Sequence, residues 1–292
     1  MSILLTGATG YIGSSVLTAL LEQGHAVTAL VRDDAKAESV RAAGATVLIG
    51  DATNSALVAE AAGTSDGVIH LASAEDVDPA LIDAVLSGLG TSGKPFVHTG
   101  GIWSYGSNDD ITEDAPNQAP ALTAWRADNE ARVLAAGGVR GMVVVPSIVY
   151  GHGDGLANVV TGAPRSADGE LVLIGDGSQH WATVHVDDLA ALYVLALELG
   201  DRGGVYIGAS GGNPTVRELA EAAQAAVGAR GVTAQSVGDT RARIGEALAD
   251  ALLLDQQARG SKARIDLGWE PNQPTLVEEI SSGGYASRQG LA

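Results

Sequence analysis

The chain has 292 residues, 46% of them hydrophobic, with 35 acidic side chains against 17 basic ones and no cysteine. That is apolar material enough for one large core or two small ones, and a formal charge of -18 disfavours nucleic acid and anionic membrane as partners. Without cysteine there are no disulfides, thiol nucleophiles or thiolate metal ligands.

Residues 2–5 form a short apolar run, followed by the turn TGATG and an amphipathic stretch over 11–22, which reads as strand, turn and helix. The opening run stops at Gly7 with no basic leader, and no apolar run approaches the roughly 20 residues a membrane helix needs, so a soluble cytoplasmic protein is expected. Residues 26–31 (AVTALV) read as a second strand and 35–43 as a helix. Short apolar strands follow at 46–49, 67–71 and 95–98, with helices over 80–89 and 122–136 and a buried strand at 142–145 (MVVV). Near-continuous apolar strands alternating with helices predict a parallel sheet covered on both faces. Beyond Tyr150 the pattern loosens into loops, until WATVHVDDLAALYVLALEL restores a strand and helix with Asp187 or Asp188 placed as N-cap. From about residue 214 two Ala-rich helical stretches close the chain.

Gly7, Gly10 and Gly13, with Thr9, Tyr11 and Ile12 between them, lie where the first strand hands over to the first helix. That context suits a dinucleotide: Gly7 allows the tight turn, Gly10 a close backbone approach to the pyrophosphate, and Gly13 close packing of helix on strand. At the end of the second strand a carboxylate would favour NAD(H), whereas Arg32 stands here and suits the 2′-phosphate of NADP(H). Asp33 and Asp34 follow it and could reach back.

With TGATGYIG, the strand end LVR, GDAT at 50–53, HLAS at 70–73, HTGGIWSYG at 98–106, VPSIVYGHG at 145–153 and HVDDLA at 185–190, the sequence resembles the extended short-chain dehydrogenases/reductases, the NAD(P)-dependent epimerase/dehydratase group. The resemblance implies an α/β fold, a Rossmann doubly wound parallel sheet with a smaller C-terminal α/β substrate domain. Residues 1–153, with about 182–207, would form the dinucleotide domain; 154–181 and 208–292 would form the other. Asp51 and Ala52 would flank the adenine, Leu71, Ala72 and Ser73 the pyrophosphate and nicotinamide ribose, and Pro146, Ser147 and Ile148 the nicotinamide. A homodimer through helices 80–89 and 122–136 is a further implication. The same family uses His-Val-x-Asp as a strand-to-helix junction, so His180, His185 and Asp187-Asp188 imply no metal.

Family members carry a Ser or Thr and a Tyr-x-x-x-Lys for proton transfer. Here Ser104-Tyr105-Gly106 puts Gly101 at the Ser position, and Glu130 sets the helix register so that Leu122 replaces the Tyr and Arg126 the Lys. Leucine transfers no proton, and a guanidinium is too weak an acid to relay one, so Arg126 reads as a ribose anchor. Proton donors left open are Tyr105, Thr99, Ser147, His152 or water. Trp103, Trp125 and Trp181 would fall near the substrate pocket with Gly101 and Leu122, suggesting an apolar ligand. Three readings follow: an NADP(H)-dependent reductase of a small, mostly apolar carbonyl, imine or activated alkene; a silent NADP(H)-binding sensor; and, least fitting, a nucleotide-sugar epimerase or dehydratase, for which Trp181 stands where an Arg usually pairs with substrate phosphate.

Overall fold

A computed structural model describes residues 1–285, so residues 286–292 of the expected second domain lie outside the described residues. Seven parallel strands form the central sheet, in the spatial order Gly204–Gly208, Arg140–Pro146, Pro95–Thr99, Gly67–His70, Ser2–Thr6, Ala26–Val31 and Thr46–Ile49. The sheet runs outward in both directions from its first strand, which pairs with Ala26–Val31 on one side and Gly67–His70 on the other. Such a reversal opens a crevice at the carboxyl ends of the strands, where ligands bind in open α/β sheets.

Strand alternation explains why the apolar runs are continuous. Ile3 and Leu5 face one side of the sheet, packing with the first helix, Tyr11–Glu22, and with Val186–Leu199. Leu4 faces the other, packing with Ser55–Thr64 and Asp78–Leu89. Each such aliphatic side chain, wholly removed from water, contributes roughly 1.5–3 kcal/mol. The helix Ser55–Thr64 and the strand Asn108–Ile111, which pairs with Gln256–Ala258 outside the central sheet, are absent from the sequence reading; neither carries a clear apolar period.

A separate core gathers Ile148, Tyr150, Leu173, Trp181, Leu219, Leu252 and Ile280 from the loops and helices after the sixth sheet strand. Two expectations change here. The helix foreseen over 122–136 spans Arg126–Leu134, because residues 121–125 form a turn in which Thr123 N–H bonds the Pro120 carbonyl. The cap of Val186–Leu199 is His185, whose Nδ1 accepts the Asp187 N–H, rather than either aspartate. Among the described residues no helix is long and apolar enough to cross a membrane.

Candidate active site

The glycine turn is set by backbone crowding. Gly7 has φ 76°, and a Cβ there would lie 2.8 Å from the Ala72 nitrogen. A Cβ on Gly13 would come within 1.9 Å of the Gly7 carbonyl oxygen, so the first helix can sit this close to the strand end only with glycine. Gly10 caps that helix without a side-chain hydrogen bond, leaving the first-turn N–H groups of Tyr11, Ile12 and Gly13 for an anion. The cradle fits a pyrophosphate.

Beside it a cavity of about 380 Å³ is lined by Gly7, Thr9, Gly10, Arg32, Asp51, Ala52, Leu71 and Ala72, among others. The structure thus brings together eight of the expected cofactor residues and adds Lys36, which the sequence reading missed because it lies on the polar face of the next helix. Asp33 and Asp34 do not reach back. The Asp33 carboxylate caps helix Asp34–Ala42 by accepting the Lys36 N–H at 3.0 Å, and Asp34 pairs with Arg41 at 2.9 Å. Arg32 and Lys36 therefore face the cavity unneutralised by either. Asp51 accepts the Thr53 hydroxyl and N–H; with Arg32 nearby, these hold its carboxyl below the usual range.

Gly13, Tyr11, Ile12, Ser73, Arg126, Pro146, Ser147 and Ile148 stand outside that lining. Tyr11 donates to the Gly151 carbonyl at 2.9 Å, Ile12 packs on the core, and Ile148 belongs to the second core. Ser147 is buried, with no partner for its hydroxyl among the described residues. Arg126 donates to the Ser73 hydroxyl at 2.8 Å and the Thr99 carbonyl at 3.3 Å, with its guanidinium 4.4 Å over the Trp125 ring.

Behind Ser73 lies a wholly buried polar cluster. Asp78 accepts from Ser73 at 2.7 Å, from Ala74 N–H at 2.9 Å and from His70 Nε2 at 3.2 Å. With that imidazole proton committed, His70 Nδ1 accepts the Thr6 hydroxyl at 2.7 Å. His98 Nε2 stands 3.7 Å from Asp78, and among the described residues neither of its ring nitrogens has a hydrogen-bond partner. Burial, first of all, pulls the His98 pKa down to about 3, so the ring is neutral. His70, Asp78 and His98 present ligand atoms within 4.8 Å of one another, but the Arg126 charge bearing on Asp78 and His98 opposes a cation there.

The expected catalytic corner divides. Gly101 faces open space, where a Cβ would meet nothing within 4 Å. Trp103 is half-buried, and Leu122 lies in the turn with 38% of its surface exposed. Trp181 is a correction: it is buried in the second core, donating its indole N–H to the Leu252 carbonyl at 3.0 Å, and it lines neither the cavity beside the glycine turn nor the one at His152. Thr99 is another, since its hydroxyl donates to the His70 carbonyl at 2.7 Å and accepts from Tyr193 at 2.8 Å, leaving no proton to give. Tyr105 is buried; burial first, then Glu130, Glu113 and Asp114, push its phenol well above the usual value, the reverse of what an acid catalyst needs. His152 pairs with Asp187 at 2.9 Å and lines a different cavity, with Thr9, Gly10, Tyr11, Ser14, Ser15 and Asp154. His180 is bound to Asp255, apart from His185. Burial pushes the Glu130 carboxyl up to about 7, and among the described residues its Oε1 has no hydrogen-bond partner.

A model of the NAD dependent epimerase/dehydratase family matches residues 3–208. An uncharacterised protein of Schizosaccharomyces pombe is 30% identical over 98% of this chain and 100% of its own length. A 2-alkyl-3-oxoalkanoate reductase of Stenotrophomonas maltophilia is 30% identical over 84% of this chain and 81% of its own. The crystal structure of a UDP-glucose 4-epimerase from Thermotoga maritima, with UDP-glucose, superposes with a TM-score of 0.78 over 100% of both chains at 21% identity, a likeness of fold alone. The glycine cradle, the sheet order and these matches make the chain a member of the NAD-dependent epimerase/dehydratase family, within the extended short-chain dehydrogenases/reductases, whose members are NAD(P)-dependent oxidoreductases, epimerases and dehydratases.

Proposed function

We propose that the protein is an NADP(H)-dependent reductase acting on a small, mostly apolar carbonyl, imine or activated alkene. The observation that carries this reading is a glycine cradle opening onto a cavity that holds Arg32 and Lys36, beside a corner with Gly101 and Leu122 where the family resemblance expects Ser and Tyr. Arg32 and Lys36, both free of Asp33 and Asp34, supply two cations for a 2′-phosphate. The first-turn N–H groups hold the pyrophosphate, and Arg126 holds the ribose hydroxyls. When bound, the dinucleotide supplies a hydride.

Reduction also needs a proton. With Leu122 and Gly101 in place of Tyr and Ser, the source is water, and the substrates that suit are those whose anion is already stabilised by conjugation. In this reading Trp103 and Trp125 would offer apolar surface to the substrate, and residues 154–181 and 208–285 would form its side of the site. The reductase relative in Stenotrophomonas maltophilia supports a keto acceptor. Epimerisation is disfavoured because it requires reversible proton transfer at a hydroxyl, the step an acid-base pair would perform. A dimer through helices Asp78–Leu89 and Arg126–Leu134 belongs to the same reading.

The test is a titration of the purified protein with NADPH and NADH, followed by nicotinamide fluorescence and thermal stability. Tighter binding of NADPH, then its oxidation by a conjugated ketone or enone, is the expected result. Binding without turnover on any acceptor would favour a silent sensor, and binding of neither cofactor would overturn the proposal.

A further inference from the structure

Three hydrogen bonds of the buried cluster converge on one carboxylate. Asp78 has no exposed surface and accepts from the Ser73 hydroxyl, Ala74 N–H and His70 Nε2. Ser73 in turn accepts from Arg126 Nη1 at 2.8 Å. A hydroxyl that donates to one group and accepts from another transmits orientation between them, because its single proton is committed. The guanidinium thus reaches its countercharge through one hydroxyl rather than directly.

We infer that Asp78 is a positioning residue: through Ser73 it orients the Arg126 guanidinium for the cofactor. The inference rests on the dinucleotide reading above. Arg126 has two carboxyl neighbours that raise its pKa against burial, Asp78 and Glu130. Glu130 is pushed up to about 7 and so is partly neutral in the cell. Burial alone would raise Asp78 too, but the bonds from His70, Ser73 and Ala74 outweigh it and keep the group ionised. Asp78 is therefore the constant countercharge for a half-buried arginine. His98, neutral and 3.7 Å away, takes no part of that charge.

A purely structural role is the competing account, since Asp78 opens helix Asp78–Leu89 and locks the preceding loop through Ala74. A double-mutant cycle separates the two. NADPH dissociation constants are measured by fluorescence for the wild type, Asp78→Asn, Arg126→Ala and the double variant. The expected result is a loss of about tenfold from Asp78→Asn in the wild-type background, as for a broken charge-assisted bond. In the Arg126→Ala background the same change should cost less than about twofold. Equal losses in both backgrounds, or none in either, would overturn the inference. Should Asp78→Asn not fold, Ser73→Ala cuts the bridge while leaving the bonds of Asp78 to His70 and Ala74, and the same background dependence is expected. A wild type that binds neither cofactor overturns the dinucleotide reading and this inference with it. One that binds, with additive variants, overturns the inference alone.

Discussion

The two halves of the cleft are built on opposite terms. At the glycine turn, backbone meets backbone, and almost no side chain can be changed without collision. At the corner around Gly101 and Leu122, a Cβ on Gly101 would meet nothing within 4 Å and Leu122 is partly exposed, while the Thr99 hydroxyl is committed and the Tyr105 phenol is raised by burial. The difference teaches that holding a dinucleotide and transferring a proton are demands on separable parts of the molecule.

The strict half should break hardest. Gly13→Ala places a methyl 1.9 Å from the Gly7 oxygen, which only movement of the helix could relieve. We expect a destabilisation of about 3 kcal/mol or more by denaturant unfolding, with no measurable NADPH binding. A folded, NADPH-binding Gly13→Ala protein would show that the turn is looser than its geometry implies. Next comes cofactor choice. Arg32→Ala with Lys36→Ala should weaken NADPH by about 100-fold and leave NADH within about twofold. A parallel loss for both cofactors would mean that the two cations serve the fold and not a 2′-phosphate.

Glu130 sharpens the other side of the comparison. Its carboxyl is raised from 4.5 to about 7, burial being the largest cause. The folded chain therefore keeps a proton that the unfolded chain releases, and stability falls as pH rises from about 4.5 through 7, then levels off. Glu130→Gln removes the titration. Chemical denaturation should find it more stable than the wild type by about 2 kcal/mol at pH 8 and equal to it at pH 4.5. The same gap at both pH values would place the carboxyl in a more polar site than the structure shows.

What could be read from the sequence follows the same division. Gly7, Gly10 and Gly13 were legible because turn chemistry is local, and the sheet because strands buried on both faces leave unbroken apolar runs such as MVVV. Arg32 was legible as the end of a strand. Lys36 was not, since its relation to the cavity depends on Asp33 turning away to cap its own helix. Asp78 was invisible for a stronger reason: it meets His70 and Ser73 close by in sequence, but its bearing on Arg126 runs through a hydroxyl 53 residues from that arginine. The Trp181 expectation failed because position along the chain says nothing of which face a side chain takes, and its indole found the Leu252 carbonyl inside the second core.

The smallest effect is expected where an ordinary family corner is put back. Gly101→Ser introduces a side chain where a Cβ meets nothing within 4 Å, on extended backbone with φ -171°, so no strain arises. Leu122→Tyr replaces a side chain already 38% exposed. The double variant should change stability by less than about 0.5 kcal/mol. It should also leave turnover within about threefold. Residue 122 lies in the turn before Arg126, not on the helix, so a phenol there has no fixed direction toward a substrate oxygen. General acids contribute roughly 10²–10⁴ in rate only when held within hydrogen-bond reach. A rise in turnover of that size, with a new pH dependence that Gly101→Ser alone does not produce, would show that the corner still carries the ordinary geometry and lacks only its side chains. No change would show that the turn at 121–125 has rebuilt the corner itself, so that restoring residues without restoring the helix restores nothing.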